Sequence, residues 1–275
     1  MKGWIALDID GTITLDKYSV PQLVTDYLRK LEKEGWRIAM ATGRSLVFAS
    51  MPLASFDFPF TVLVQNGAAA LQMPNQKTIF KRYISPDSIP VIEKALEGID
   101  GDFLVYAGYE KGDFCYWRPE RLSQEHLLYV RNLEEREKET PKAVESFEGL
   151  QPFPLIKCFG SAESMGQAAR LLRATGLFQV AHIRDPFTPG YQLLLVTDRL
   201  ASKGLSLKEL IRREGRGERV IAAGDDENDI SLFDEADVRI AMPHAPGFLQ
   251  ERADLIAPPT RDFGIVTALE MAIRR

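Results

Sequence analysis

Trp4-Ile5-Ala6-Leu7-Asp8-Ile9-Asp10-Gly11-Thr12 is the stretch from which the rest of the chain is read. Four apolar residues predict a short strand, and two aspartates follow at a spacing of two. Residues two apart on extended backbone point the same way, so Ile9 turns to the core while Asp8 and Asp10 share one site. Gly11 permits a sharp exit from the strand. In an open parallel sheet that exit is the crevice beyond the strand's carboxyl end, where ligands bind. Two carboxylates held this close repel each other, which raises one pKa or recruits a cation. The competing reading is a plain turn, because Asp-x-Asp-Gly also begins loops, with Asp10 as a cap and Asp8 as its partner.

Working outward, a helix is predicted over 21–34, with Leu23, Val24, Tyr27, Leu28 and Leu31 on one face and Gly35 as the stop. An apolar run over 38–41 ends in Thr42-Gly43-Arg44, and another over 61–64 ends in Gln65-Asn66-Gly67. Strand, helix, strand with polar residues at each carboxyl end predicts an α/β parallel sheet. Strands that are apolar throughout predict helices on both faces. The pattern returns late in the chain: a helix near 202–213, a strand over 219–223 ending in Gly224-Asp225-Asp226, and short strands over 238–241 and 255–257. A terminal helix is predicted over 264–273. Between 85 and 188 the texture changes. Aromatics cluster at Phe103, Tyr106, Tyr109, Phe114, Tyr116 and Trp117, Gly108 and Gly112 mark a hairpin, and a charged helix ends in 134–139, read as a solvated face. A strand–helix–strand set over 155–159, 163–174 and 179–183 completes the segment. The expected architecture is a Rossmann-like parallel-sheet core over 1–84 and 189–275, interrupted by an inserted α+β domain over 85–188.

Composition narrows the class. The chain has 275 residues, 45% hydrophobic and 27% charged, the balance of an ordinary globular protein. A formal net charge of −5 gives no bulk positive field for nucleic acid or an anionic membrane. Cys115 and Cys158 lack C-x-x-C spacing and read as two buried thiols in a reducing compartment. No run approaches the roughly twenty apolar residues of a membrane span, and Asp8 and Asp10 interrupt any secretory segment at the start. A soluble cytoplasmic protein is expected.

Gly224-Asp225-Asp226-Glu227-Asn228-Asp229 crowds four acidic side chains at one strand end. Such a concentration of charge calls for a divalent cation. Oxygen donors with no neighbouring histidine or cysteine indicate a hard ion, and Mg²⁺ suits a site that handles phosphate. Asp225, nearest the strand, is the first choice of ligand; Asp229, one turn down, is placed to hold a metal-bound water. The competing role is capping of the next helix, expected of one or two of these residues. Thr42-Gly43-Arg44-Ser45 offers a hydroxyl and backbone N–H groups to an anion. Lys203, followed by Gly204 at a helix start, offers a cation to a phosphate oxygen. Asn66-Gly67 is by default a tight turn. Their shared address at strand ends joins them into one site.

Taken in order, Asp8-Ile9-Asp10-Gly11-Thr12, Ala41-Thr42-Gly43-Arg44, Lys203-Gly204 and Gly224-Asp225-Asp226-Glu227-Asn228-Asp229 resemble the four motifs of the haloacid dehalogenase (HAD) superfamily of phosphohydrolases. The large insert, with Asn66-Gly67-Ala68 before it, is similar to the Cof-like subgroup with an α+β type-2 cap. The resemblance spans the whole chain. It implies an Mg²⁺-dependent phosphatase for a small phosphate monoester, with Asp8 as nucleophile and Asp10 as general acid/base. It also implies that Thr42, Gly43, Arg44, Asn66, Lys203 and Asn228 hold phosphate and substrate. Mg²⁺ would be bound by Asp8, Asp225 and the Asp10 backbone carbonyl, with Asp229 beside them. The insert is expected to close over the site, with Arg118, Lys157, His182 and Arg184 as its contacts. Two positions depart from the family pattern: Gln65 precedes Asn-Gly, and Thr197-Asp198-Arg199 precedes the lysine segment. The expected partner is a small-molecule phosphate ester, with no nucleic acid or membrane. A phosphomutase using the same nucleophile, or a non-catalytic protein binding Mg²⁺ and phosphorylated ligands, are the alternatives.

Overall fold

The computed structural model describes the chain apart from residues 17, 138–140 and 186–187 and the side chains of 134–137. Two compact units emerge: Met1–Arg44, Ala49–Phe80 and Ser202–Arg275 form the first, Ser45–Phe48 and Lys81–Ala201 the second.

The first unit begins with β1 (Gly3–Leu7), α1 (Gln22–Lys33) and β2 (Trp36–Ala41). The short α2 (Leu46–Ser50) precedes β3 (Phe60–Val64), β4 (Ala69–Met73) and β5 (Lys77–Lys81). In the second unit follow α3 (Ile89–Leu96), β6 (Gly101–Tyr106), β7 (Cys115–Trp117), α4 (Gln124–Glu137) and β8 (Pro141–Ala143). Next come β9 (Leu155–Gly160), α5 (Ala162–Ala174), β10 (Phe178–Arg184) and β11 (Gln192–Asp198). The chain then returns to the first unit with α6 (Lys203–Glu214), β12 (Arg219–Gly224), α7 (Ile230–Glu235) and β13 (Val238–Ala241). It ends with α8 (Gly247–Gln250), β14 (Leu255–Ile256) and α9 (Gly264–Arg274).

The sheet of the first unit has the order β14-β13-β12-β1-β2-β3-β4-β5. Its members from β14 to β3 are parallel, and β4 turns back antiparallel to β3. One face packs Trp4, Ala6, Ala39, Val220 and Ala222 against Leu207 and Leu210 of α6 and Leu232 and Phe233 of α7. Residues of the other parity, among them Ile5, Leu7, Ile38 and Met40, are equally buried; α1 contacts β2 and α9 contacts β12. Burial on both sides is why these strands read as continuous apolar runs. Leu7 is level with Ala223 on one side and Met40 on the other. Asp8, Thr42 and Asp225 therefore leave the sheet at one edge.

The second unit carries a six-stranded sheet, order β10-β11-β9-β6-β7-β8. On one face Phe103, Ile156, Cys158 and Leu194 pack with Ile92 of α3 and Met165 and Leu172 of α5. On the other, Leu104, Tyr106, Phe159 and Leu193 pack with Tyr129, Val130 and Leu133 of α4. The expected return to the first unit at 189 is corrected. Gln192–Asp198 pairs antiparallel with both β9 and β10, so the first unit resumes only at Ser202. The apolar text of β11 looks like that of a parallel core strand; the pairing assigns it, with Leu194 level with Cys158. The first boundary falls after Phe80 rather than after residue 84. The charged run 134–139 lies outside the residues whose side chains are described. Neither cysteine is in a disulfide and both are buried, and burial pushes the Cys158 thiol well up. Among the described residues no helix is long and apolar enough to cross a membrane.

Candidate active site

Lys203 organises the centre. Ser202 caps α6, its hydroxyl accepting the Leu205 N–H at 3.1 Å, which places Lys203 in the first turn. The ammonium, 1% exposed, donates to Asp8 Oδ1 at 2.6 Å and to Asp229 Oδ1 at 2.7 Å. Burial alone would lower the Lys203 pKa, but Asp229 and Asp8 reverse that and hold it above the usual lysine range. Asp8 moves upward: burial raises it most, Lys203 opposes, and Asp229, Asp225 and Asp10 add to the rise.

Asp8, Asp225 and Asp229 each offer an oxygen within 4.8 Å of the others. Asp8 Oδ2 is buried without a hydrogen-bond partner. A lone lysine does not neutralise three carboxylates, and an orphaned buried oxygen is costly. All-oxygen donors suit a hard divalent cation, so the residues present fit such an ion. Asp229 differs from the other two. Its Oδ2 accepts the N–H groups of Asp225 at 2.9 Å and Asp226 at 3.2 Å, while Oδ1 takes Lys203. Asp226 caps the following turn by accepting the Glu227 N–H at 2.8 Å, and with Asp229 completes a reciprocal capping box. The capping reading of this cluster applies to Asp226 and Asp229, while Asp8, Asp225 and Asp229 together form a group that could hold a metal ion.

Arg44, expected to hold phosphate, pairs with a carboxylate in this structure. Its side chain, 4% exposed, forks onto Asp10, Nε to Oδ2 at 2.8 Å and Nη2 to Oδ1 at 2.5 Å. The Asp10 side chain thus stands outside the Asp8–Asp225–Asp229 cluster. Arg44 engages a carboxylate where a phosphate contact was expected, because the loop after β2 brings it level with the exit of β1. The same loop is stitched to the end of β3: the Asn66 N–H donates to Thr42 O and the Gln65 N–H to Arg44 O, both at 2.8 Å. Thr42 Oγ1 accepts the Arg44 N–H at 3.1 Å. Gln65, Asn66 and Gly67 are all left-handed, at φ 49°, 56° and 90°. Gly67 could carry no side chain, since a Cβ would sit 2.4 Å from Ser202 O. Asn66 Oδ1 and both amide atoms of Gln65 are buried without hydrogen-bond partners. Gly43 belongs to this loop, and Asn228 is half-buried one residue before Asp229.

His244 was not anticipated. Its Nε2 lies 3.1 Å from Asp225 Oδ2. It follows the apolar run of β13 by three residues, so the signal used for the other strand ends also applied to it. Burial raises the Asp225 pKa, and the His244 hydrogen bond opposes that rise. In the second unit, Arg118 is buried between the rings of Phe103 and Phe147 and donates to Glu93. That packing gives it a structural role inside the unit. Lys157 is buried with its ammonium 5.0 Å from the Tyr106 ring centroid, and His182 and Arg184 lie on β10.

A family model described as haloacid dehalogenase-like hydrolase matches residues 5–269. A phosphoglycolate phosphatase of Methanobrevibacter smithii is 24% identical over 97% of this chain and 96% of its own length. A pyridoxal phosphate phosphatase of Escherichia coli K12 is 24% identical over 92% of each. Among solved structures, a Streptococcus mutans protein superposes with a TM-score of 0.81 at 18% identity, covering all of both chains. A sugar phosphatase of HAD subclass IIB superposes with a TM-score of 0.74 at 18% identity, covering 98% of this chain and 99% of the other. The chain belongs to the haloacid dehalogenase-like hydrolase family, as a phosphoric monoester hydrolase.

Proposed function

We propose that the chain hydrolyses a small phosphate monoester, a sugar phosphate or a metabolite of similar size, by passing the phosphoryl group through Asp8. The observation that carries this reading is Asp8 itself: one oxygen is anchored by Lys203 and the other is buried without a partner. In the first step Asp8 attacks phosphorus, the bond from phosphorus to the leaving oxygen breaks, and Asp10 gives that oxygen a proton. In the second, water attacks the phosphorus of the aspartyl-phosphate, Asp10 takes the water's proton, and the bond to Asp8 breaks to release inorganic phosphate. Arg44 holds both oxygens of Asp10, so proton transfer requires one of those bonds to be exchanged for the leaving oxygen. Lys203 offsets negative charge as the carboxylate meets the phosphate, and the Thr42–Gly43 loop, Asn66 and Asn228 supply hydrogen bonds around it. Mg²⁺, bound by Asp8, Asp225 and the Asp10 carbonyl, would supply further charge neutralisation. Asp229 has both oxygens engaged, and its part is to hold Lys203 and the backbone at Asp225 and Asp226. These residues all lie in the first unit.

Relatives named for phosphoglycolate and pyridoxal phosphate are equally distant at 24% identity, which supports the class of small monoesters and no single member of it. Buried Cys115 and Cys158, neither in a disulfide, support a reducing, cytoplasmic setting. The test is phosphate release from a panel of monoesters with Mg²⁺ present. Wild-type protein is expected to turn over several of them, EDTA to stop it, and Asp8→Asn to lose at least about a thousandfold with an unchanged circular dichroism spectrum. Near-normal turnover by Asp8→Asn would overturn the nucleophile. A sugar monophosphate isomerised without free phosphate would favour the mutase instead.

A further inference from the structure

We propose that His244 is a positioning residue for the cation site: its imidazole N–H fixes the carboxylate of Asp225 in the orientation that binds Mg²⁺. The inference rests on the metal-dependent reading above and concerns a residue outside the carboxylate cluster. Sheet register puts it there. Gly224, the last residue of β12, is level with Ala241, the last of β13. Asp225 and His244 therefore leave neighbouring strands one and three residues beyond the same level. The turn carrying His244 is closed by the Gln250 amide, which donates to Pro243 O at 3.1 Å and Ala245 O at 2.8 Å. At its start, the Met242 N–H is bonded to Gly224 O at 3.1 Å.

An ionised carboxylate only accepts hydrogen bonds, so in the 3.1 Å contact His244 Nε2 is the donor to Asp225 Oδ2. That bond occupies one oxygen, removes a rotational freedom of the side chain, and leaves Oδ1 for a cation. Gly11 gives an independent sign that this contact is built in. A Cβ on Gly11 would fall 2.5 Å from Asp225 Oδ2 and 2.9 Å from His244 Nε2, and its φ of +73° is one that side chains rarely adopt. The exit from β1 is thus shaped to leave the imidazole–carboxylate pair undisturbed. Groups that hold a metal ligand from behind typically change metal affinity ten- to a hundredfold when removed.

Half exposure of the His244 side chain (47%) lets it be replaced without opening a core. The experiment is calorimetric titration of Mg²⁺ into the full-length protein, with thermal unfolding in EDTA measured alongside. His244→Ala is expected to raise the Mg²⁺ Kd about tenfold while leaving the unfolding midpoint in EDTA unchanged. His244→Gln, whose amide donates from a similar reach, is expected to recover most of the affinity. A Kd within twofold of wild type in His244→Ala would overturn the inference. So would tighter binding in that variant, which would mean that the imidazole competes with the cation. If His244→Ala is less stable in EDTA, the Gln variant decides: weak Mg²⁺ binding in a Gln variant of wild-type stability overturns the donor role. Failure of the wild type to bind Mg²⁺ at all would instead remove the metal-dependent reading, and this inference with it.

Discussion

Asp113 sits at φ 52°, almost fully buried, with Oδ2 accepting the Val47 N–H at 2.8 Å and Oδ1 unpartnered. Burial lifts its pKa above the ordinary 3.8, against the pull of the Val47 and Leu46 N–H groups. The folded protein therefore keeps this proton to a higher pH than the unfolded chain does. As pH rises from 3.8 through the folded value, the unfolded state has already released its proton, so this group makes stability fall. Asparagine has the same shape, tolerates left-handed backbone and does not titrate. Urea unfolding at several pH values should show Asp113→Asn gaining on wild type as pH rises through that window, with a constant difference above it. A difference independent of pH would show that burial does not perturb the carboxyl. In the candidate site some residues were legible in the sequence and others were hidden. Asp8, Asp225 and Lys203 were readable because each directly follows or opens a predicted element. The partner of Arg44 was not, because Asp10 lies thirty-four positions away and only strand pairing brings the two together. Gln65 stood out in the text as unusual, but its burial and left-handed backbone depend on how β3 hands over to β4.

Two helical glycines show opposite signs at the level of elements. Gly204, in the first turn of α6, approaches α7 so closely that a Cβ would lie 1.7 Å from Ser231 O. Gly166, within α5, has nothing nearer than 3.9 Å to the same position. Alanine favours a helix over glycine by roughly 0.5–1 kcal/mol. Chemical denaturation should therefore show Gly166→Ala stabilised by about that amount. Gly204→Ala should lose about 1–3 kcal/mol, because backbone has to move to admit the methyl group. Equal effects at the two sites would contradict the close packing of α6 on α7. Both helices were predicted from the sequence, over 163–174 and near 202–213; their distance from neighbours was not legible there. The strands divide in the same way. The two-sided burial of β1, β2, β3 and β12 was written in their apolar runs, whereas β11 carries a similar run into a different sheet.

For the molecule as a whole, cation binding proposed at the clustered carboxylates would join folding and binding into one equilibrium. An ion that binds only the folded state stabilises it by RT ln(1 + [ion]/Kd), about 2.7 kcal/mol at a hundredfold excess over Kd. The thermal midpoint should rise with Mg²⁺ concentration, and Asp225→Asn should abolish most of that rise while Asp234→Asn, an exposed carboxylate in α7 paired with Arg252, should retain it. A midpoint indifferent to Mg²⁺ would count against the cluster as a cation site. The sequence by itself determined the α/β class, the interrupted core and the strand ends where polar residues gather, because burial periodicity and turn chemistry are local properties. Only the tertiary structure decided that β11 belongs to the second sheet, that Arg44 grips Asp10, that Asp229 serves Lys203 and a helix cap, and that His244 reaches Asp225. Those outcomes depend on lateral strand register, and register is fixed by packing between segments that the linear order keeps far apart.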